Sequence, residues 1–402
     1  VEILSEHEAL ETSAALHARA RAHVTAFEHA LPPPEPFEAL ACDIARFQAR
    51  AVEGYRRLCD ARGVNVANLT QWEALPAVPT DAFKVARVSA FAESQTPTVF
   101  RTSGTTVGAR GQHWFRTVST YEAAAVAFGR YWLARDLAAR RVPVVVLGPS
   151  PEEAPDSSLM HMCAAFVAAF GRQASASDRP RSDRATYVID ANGTLDLSTF
   201  DSCIAQSLAS GEPMLVLGTS FAFVHLVDAV GKDTFALPAG SRVMQTGGYK
   251  GRSREVPADV LRGDLARIFD VDRRQIVAEY GMTELSSQFY EQTIFEPDAP
   301  EGVFAEPPWA RVVPVHPDTL LPVADGDVGI AKVVDLMNVD SAVAVLTQDR
   351  VRRVRGRHGD RNHGPNPGGF ELLGRAPGAP ARGCSIAMDE LLGGVGVDQA
   401  LS

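Results

Sequence analysis

Four stretches hold residue types that chemistry can use. The densest is FRTSGTTVGARGQHWF (100–115), where Thr102, Ser103, Gly104, Thr105, Thr106 and Gly108 crowd together ahead of Arg110 and His113. Glycines let successive N–H groups turn into one concavity and hydroxyls add donors, so such a loop suits an anion, phosphate above all. A plain Ser/Thr-rich turn has the same composition. The second stretch is QTGGYKG (245–251), with Gly247 and Gly248 after an apolar run. The third, EYGMTELSSQFYE (279–291), follows another apolar run and carries Tyr280, Gly281, Thr283 and Glu284. The last is a pair, LTQDR (346–350) with Asp349 and LLGRAPGAPARGCSIAMDEL (372–391) with Gly374, Arg375 and Cys384.

The elements around these stretches set where they sit. The first hundred residues are amphipathic and helical in spacing, as in FEALACDIARFQARAVEGYRRLCDARG, and LPAVPTDAFK after them reads as extended because Pro76 and Pro79 break a helix. From 115 the pattern alternates: a helix over TVSTYEAAAVAFGRYWLARDLAARR, then short Val/Leu-rich strands VPVVVLGPS, PMLVLGTS, SRVMQTGG and QIVAEYG separated by helices. One helix starts near Pro257 and carries Leu261, Leu265 and Ile268 on one face. This is an α/β pattern with a mostly parallel, doubly covered sheet. The second and third stretches fall at carboxyl ends of its strands, where open α/β sheets bind ligands. Beyond about Pro308 the text turns strand-rich (RVVPVHP, GIAKVVDL, AVAVLTQDRVRRV, GFELLGR), and 7 of the 14 residues of 356–369 are Gly or Pro, a loop. We expect an α/β core with a helical start over 1–310 and a smaller β-rich subdomain over 311–402.

Composition excludes several classes. The 402 residues are 46% hydrophobic and 22% charged with net charge −10, and no basic run with interleaved aromatics suggests nucleic acid. Five scattered cysteines without a CxxC pair argue against a disulfide framework and structural zinc, and favour a cytoplasmic setting. No stretch is apolar enough for a membrane span, and the charged N-terminus lacks a signal core. The fingerprints GxSxG, GxGxxG and GxxxxGK[ST] do not occur.

In their order, the four stretches resemble the adenylate-forming superfamily: a phosphate loop, a Tyr-Gly-x-Thr-Glu motif, LTQD in the place of Thr-Gly-Asp, and GR with RGCSI as the hinge-and-lid motif. Within it the chain is most similar to the acyl-protein synthetases, the LuxE type of bacterial fatty-acid reductases, through LPAVPTDAFK, PSPEEAPDSSLMHM, LGTSFAFVHLVD, TGGYKG, YGMTELSSQFY and RGCS. The resemblance implies that a carboxylic acid, fatty or aromatic, reacts with ATP to give an acyl-adenylate and pyrophosphate. It implies that Thr102, Ser103, Gly104, Thr105, Thr106 and Gly108 cradle phosphates, with Gly247, Gly248 and Gly281 in the nucleotide site. Glu284 would hold Mg²⁺, Thr283 would bond the α-phosphate, Tyr280 would stack on adenine, Asp349 would accept from both ribose hydroxyls, and Arg375 would stand near ribose or phosphate. Each has a plainer alternative: strand-end packing for Tyr280, a first-turn helix carboxylate for Glu284 and an Arg350 or Arg352 partner for Asp349. Because the sequence stops at Ser402 soon after RGCSIAMDELL, the resemblance leads us to expect a truncated or missing lid domain.

An acyl-adenylate needs a nucleophile, and cysteine is the best among side chains. The cysteine matching Cys384 carries the acyl thioester in the acyl-protein synthetases, and Arg382 beside it would lower its pKa. Alternatively Cys384 is a small buried residue and the acyl group passes to coenzyme A, a carrier protein or a partner acyl-transfer enzyme. A non-catalytic nucleotide- or acyl-binding homologue is the rival from another class. His225, on FAFVHLVD, reads as a hydrogen-bonded core histidine or as part of an acyl pocket. Arg110 and His113 read as phosphate contacts or exposed residues, and Cys42, Cys59, Cys163 and Cys203 as core.

Overall fold

The computed structural model describes residues 2–103, 109–137, 141–171, 187–247, 256–355, 369–376 and 382–393. They fall into two compact units: Val1–Ala127, Thr283–Ser287 and Val303–Ser402 form the first, Phe128–Met282 and Gln288–Gly302 the second. Where the sequence reading draws one boundary at 310, the compact units interleave. Local periodicity reveals elements, but which elements share a core depends on contacts between distant segments.

The second unit is the parallel α/β part. Strands β4 (Val144–Leu147), β5 (Leu215–Thr219), β6 (Arg242–Thr246) and β7 (Ile276–Tyr280) lie side by side and parallel, and β8 (Phe289–Glu291) adds to β7 antiparallel. Val145, Val216, Val243 and Ile276 share one face and pack with Phe200 of α7 (Leu197–Ser210), Phe223 and Leu226 of α8 (Ser220–Val230), and Leu265 and Phe269 of α9 (Ala258–Phe269). Each of these large side chains, fully buried, contributes about 1.5–3 kcal/mol. On the other face α6 (Ser158–Phe170) sits so close that a Cβ on Gly148 would lie 2.7 Å from Met160 Sδ. The helix starts follow from capping: Asp196 Oδ1 accepts from Thr199 N at 2.9 Å, and Thr219 Oγ1 from Ala222 N at 3.0 Å. His225 is exposed, not a core residue as its apolar surroundings in the sequence suggest, because it falls on the outer face of α8.

The first unit is built on an antiparallel sheet, in the order β10 (Ala310–Val315), β11 (Val328–Asp335), β12 (Ala344–Val354), β13 (Gly369–Arg375), β9 (Val303–Ala305). The two-residue strand β1 (Val78–Pro79) lies parallel to the start of β12, and Pro79 is followed by the single-turn helix α4 (Ala82–Val85), not a continued extended run. A separate hairpin, β2 (Thr98–Arg101) with β3 (Gln112–Phe115), carries the hydroxyl-rich loop. Helices α1 (Glu6–Glu28), α2 (Phe37–Ala51) and α3 (Glu53–Ala61) start the chain, and α10 (Arg382–Leu392) lies near its end. Helix α5 (Ser119–Gly129), inside which one unit gives way to the other, runs into a π-helical turn at Arg130–Ala134 where the sequence suggests one continuous helix. No described helix is long and apolar enough to cross a membrane.

Candidate active site

The hydroxyl-rich loop is the turn of the β2–β3 hairpin. Phe100 pairs with His113 and Arg101 with Gln112. One step further Thr102 N donates to Gly111 O, and Gly111 N donates to Thr102 Oγ1, both at 2.9 Å. Arg110, expected to contact phosphate or solvent, is exposed and donates to the Thr102 carbonyl at 2.7 Å, so its head group braces the neck. The hairpin thus holds both ends of a loop made for donors. Gly104, Thr105, Thr106 and Gly108 lie outside the described residues; Ser103, the last before them, is exposed.

Glu284 stands at this neck. A Cβ on Gly111 would lie 3.0 Å from Thr102 Cγ2 and 3.6 Å from Glu284 Oε1, so the loop's neck and the carboxylate meet at this glycine. Glu284 is 6% exposed and lies in a turn rather than in the first turn of a helix. Its segment is held residue by residue. His113 Nδ1–H donates to the Thr283 carbonyl at 2.7 Å while Nε2 accepts from Ser341 Oγ at 2.8 Å. Asn338 Nδ2 donates to the Glu284 carbonyl at 2.9 Å. Asp335, at the end of β11, accepts from Ser286 N at 2.9 Å and from Ser287 Oγ at 2.6 Å. Burial pushes His113 down to about 4, so the ring is neutral and its tautomer is set by the carbonyl it serves. Burial raises the Asp335 carboxyl above its ordinary range, against the four hydrogen bonds that pull it down.

The N-terminal helices reach this segment through the turn between β11 and β12. Gln48 of α2 donates to the carbonyls of Asn338 at 2.7 Å and Val339 at 2.9 Å, and accepts from Val343 N at 2.9 Å. Asp340 accepts from Ser13 Oγ at 2.5 Å and from His17 Nε2 at 3.0 Å, both on α1. These groups were not singled out in the sequence. The available signal was Asp335, Asn338, Asp340 and Ser341 interrupting a long apolar run, VVDLMNVDSAVAV, which marks polar groups buried with partners. The cavity between His17, His113, Ser286 and Asn338, about 10 Å³, has room for a water and not for a nucleotide or an acid.

The remaining site residues of the first unit lie on β12, β13 and α10. Asp349 and Arg375 are register partners, the first half-buried and the second exposed. Arg352, an alternative partner for Asp349, instead donates to Glu371 at 2.9 Å. Cys384 is 3% exposed on α10, and burial, with Asp81 adding to it, pushes its thiol up to about 11. That reverses the lowering expected from Arg382, since desolvation opposes the thiolate. In the second unit Gly247 is exposed at φ +70°, and Gly281 is half-buried. Tyr280 is 7% exposed with its ring 5.9 Å from that of Phe289. Gly248 lies outside the described residues.

Residues 37–393 match the family described as acyl-protein synthetase, LuxE. The chain belongs to that family. No curated protein matches it. Among solved structures it is similar to 2-hydroxyisobutyryl-CoA ligase in complex with 2-HIB-AMP and CoA in the thioesterification state, at 14% identity and TM-score 0.55, over 93% of this chain and 68% of that one. The open conformation of that ligase gives 12% identity and TM-score 0.53 over 87% and 80%. ATP-bound MatB from Rhodopseudomonas palustris gives 14% and TM-score 0.45 over 78% of this chain, which spans about half (51%) of the MatB chain. The two likenesses to 2-hydroxyisobutyryl-CoA ligase speak to the fold alone: this LuxE-family chain has the mixed α/β fold of that adenylate-forming ligase.

Proposed function

We propose that this LuxE-family protein activates a carboxylic acid with ATP and passes the acyl group to a thiol. In the first step a carboxylate oxygen bonds the α-phosphorus, the bond to the β-phosphate oxygen breaks, and pyrophosphate leaves. In the second a thiolate sulfur bonds the acyl carbon, the carbon–oxygen bond to AMP breaks, and the thiol proton goes to solvent. The observation that supports this best is the carboxylate of Glu284 beside Gly111 and Thr102 at the neck of the hydroxyl-rich hairpin. A hard anionic oxygen next to a loop of phosphate donors fits Mg²⁺, which keeps one or two carboxylates and fills its shell with phosphate oxygens and water. Glu284 would hold the ion, whose chemistry is to neutralise charge on the phosphates. Thr102 and Ser103 would donate to them, and His113 and Asn338 keep Glu284 in place. Asp349, Tyr280, Thr283 and Arg375 keep the nucleotide-binding roles the motif order implies.

Cys384 is the thiol that family membership favours. Its burial and raised pKa favour a second reading, in which the acceptor is an external thiol such as coenzyme A or a carrier-protein arm. Exchange of radiolabelled pyrophosphate into ATP, screened over fatty and aromatic acids, tests the first step; no acid-dependent exchange with any of them would refute the activity. Product mass after adding each thiol to the wild type and to Cys384→Ser separates the two acceptors.

A further inference from the structure

At the ends of β6 and β7 one carboxyl group lies against Gly281 and is hydrogen-bonded to Thr246, the residue before Gly247. Thr246 and Glu279 are register partners, and the Thr246 hydroxyl donates to Glu279 Oε2. The next residue after Thr246 is Gly247, whose carbonyl accepts from Ser220 Oγ at 2.9 Å. Two residues after Glu279 comes Gly281, and a Cβ there would run into Glu279 Oε1. So one oxygen of Glu279 is tied to the strand that leads into Gly247, and the other fills the space above Gly281. The group is 5% exposed.

Its surroundings offer a charge very little. Thr246 and Glu279 lie three residues beyond Val243 and Ile276, hence on the sheet face opposite the core formed with α8 and α9, the face that α6 covers. From α6 the titratable neighbour is Cys163, whose thiol burial pushes up, with Glu279 adding to it. From β8 the register partner is Tyr290, and Gln288 Cγ would lie 3.7 Å from a Cβ on Gly281. Among the described residues no cation faces Glu279, and its hydrogen-bond donor there is the Thr246 hydroxyl.

We propose that Glu279 is a positioning residue: as an uncharged carboxyl group it ties the Gly247 turn to the Gly281 turn and keeps negative charge away from both. The tie is a property of the fold; that it serves an adenylation reaction rests on the function proposed above. Burial pushes the Glu279 carboxyl up to about 7. Above that the proton leaves, the carboxylate keeps one donor in a dry site, and it swings toward water, opening the tie and repelling anions. Between the ordinary carboxyl range and about 7 the folded chain holds a proton that the unfolded chain has lost, so this group's stabilisation falls as pH rises through that window.

The experiment compares full-length wild type, Glu279→Gln and Glu279→Ala from pH 5 to 9, by acid-dependent pyrophosphate exchange and by denaturant unfolding. Wild-type exchange should fall about tenfold per pH unit above roughly 7, as one ionisation requires. Glu279→Gln, which keeps an uncharged acceptor of the same shape, should hold its rate across that range, while Glu279→Ala should be lower at every pH. The stability of Glu279→Gln relative to wild type should rise from pH 5 to 8. An alkaline limb shared by wild type and Glu279→Gln overturns the proposal, as does a stability difference that does not change with pH. Absence of exchange in all three proteins counts against the adenylation reading, and the unfolding difference then decides the tie alone.

Discussion

His113 and Thr283 are 170 residues apart in the chain, and the imidazole of one donates to the main-chain carbonyl of the other at 2.7 Å. The ring sits on β3, two residues past the neck of the hydroxyl-rich hairpin, and the carbonyl belongs to the residue before Glu284. One hydrogen bond therefore links the strand that leaves the hydroxyl-rich hairpin loop with the residue before Glu284. Because the ring is buried and neutral, the link also has a pH dependence.

An unfolded histidine takes up a proton near pH 6.5, whereas folded His113 does so only near 4. As pH falls through that interval the unfolded chain binds a proton that the folded chain refuses, so stability is lost. The interval corresponds to about 3 kcal/mol at most. Denaturant unfolding of wild type against His113→Asn should show a difference that is constant above pH 7 and moves against the wild type as pH falls from there toward 4; parallel curves at all pH values would contradict a buried neutral ring.

Replacing Glu284 by Ala should leave the fold within about 1 kcal/mol of wild type while pyrophosphate exchange drops about 100-fold or more. Its main-chain carbonyl still receives the Asn338 amide, so the turn persists. Wild-type exchange in this variant would remove the metal role from Glu284.

Gly281→Ala should cost about 1–3 kcal/mol, since its methyl group meets Glu279 Oε1. In a Glu279→Ala background the obstacle is gone and the same change should cost markedly less. The coupling in that double-mutant cycle, measured by unfolding at pH 6, should be about 0.5–3 kcal/mol. Additivity would show that the two residues do not touch.

With its thiol pushed up to about 11 and 3% exposed, Cys384 should react with iodoacetamide about 100-fold more slowly at pH 7.5 than a small-molecule thiol. Mass spectrometry of peptides from briefly labelled native protein checks this. Labelling at the free-thiol rate would return Cys384 to an exposed, activated state and strengthen the enzyme-bound thioester over the external thiol.

Much of the fold was legible because it is written in local periods. The Val/Leu runs of β4 to β7, the amphipathic α9 after Pro257 and the four strands of the tail stand where their patterns place them. Glu284 and the hydroxyl-rich loop stand out in the sequence by residue type alone; that Glu284 lies beside Gly111 and Thr102 came only with the fold. His225 misled because an apolar neighbourhood in sequence is not an apolar neighbourhood in space, and α8 turns that residue outward.

The amino-acid order by itself determined the α/β class, the strand ends that carry glycines and the membership in the LuxE family. Tertiary structure decided what holds Glu284: the ring of His113, the amide of Asn338, the carboxylate of Asp335 and, through Gln48 at 290 residues' remove, the second helix. It also decided that Cys384 is buried and that Glu279 faces Gly281. Periodicity reports whether a residue is covered, over a few turns of chain. Which partner covers it, and whether a buried acid, imidazole or thiol keeps its proton there, depends on groups that folding alone brings within a few ångströms.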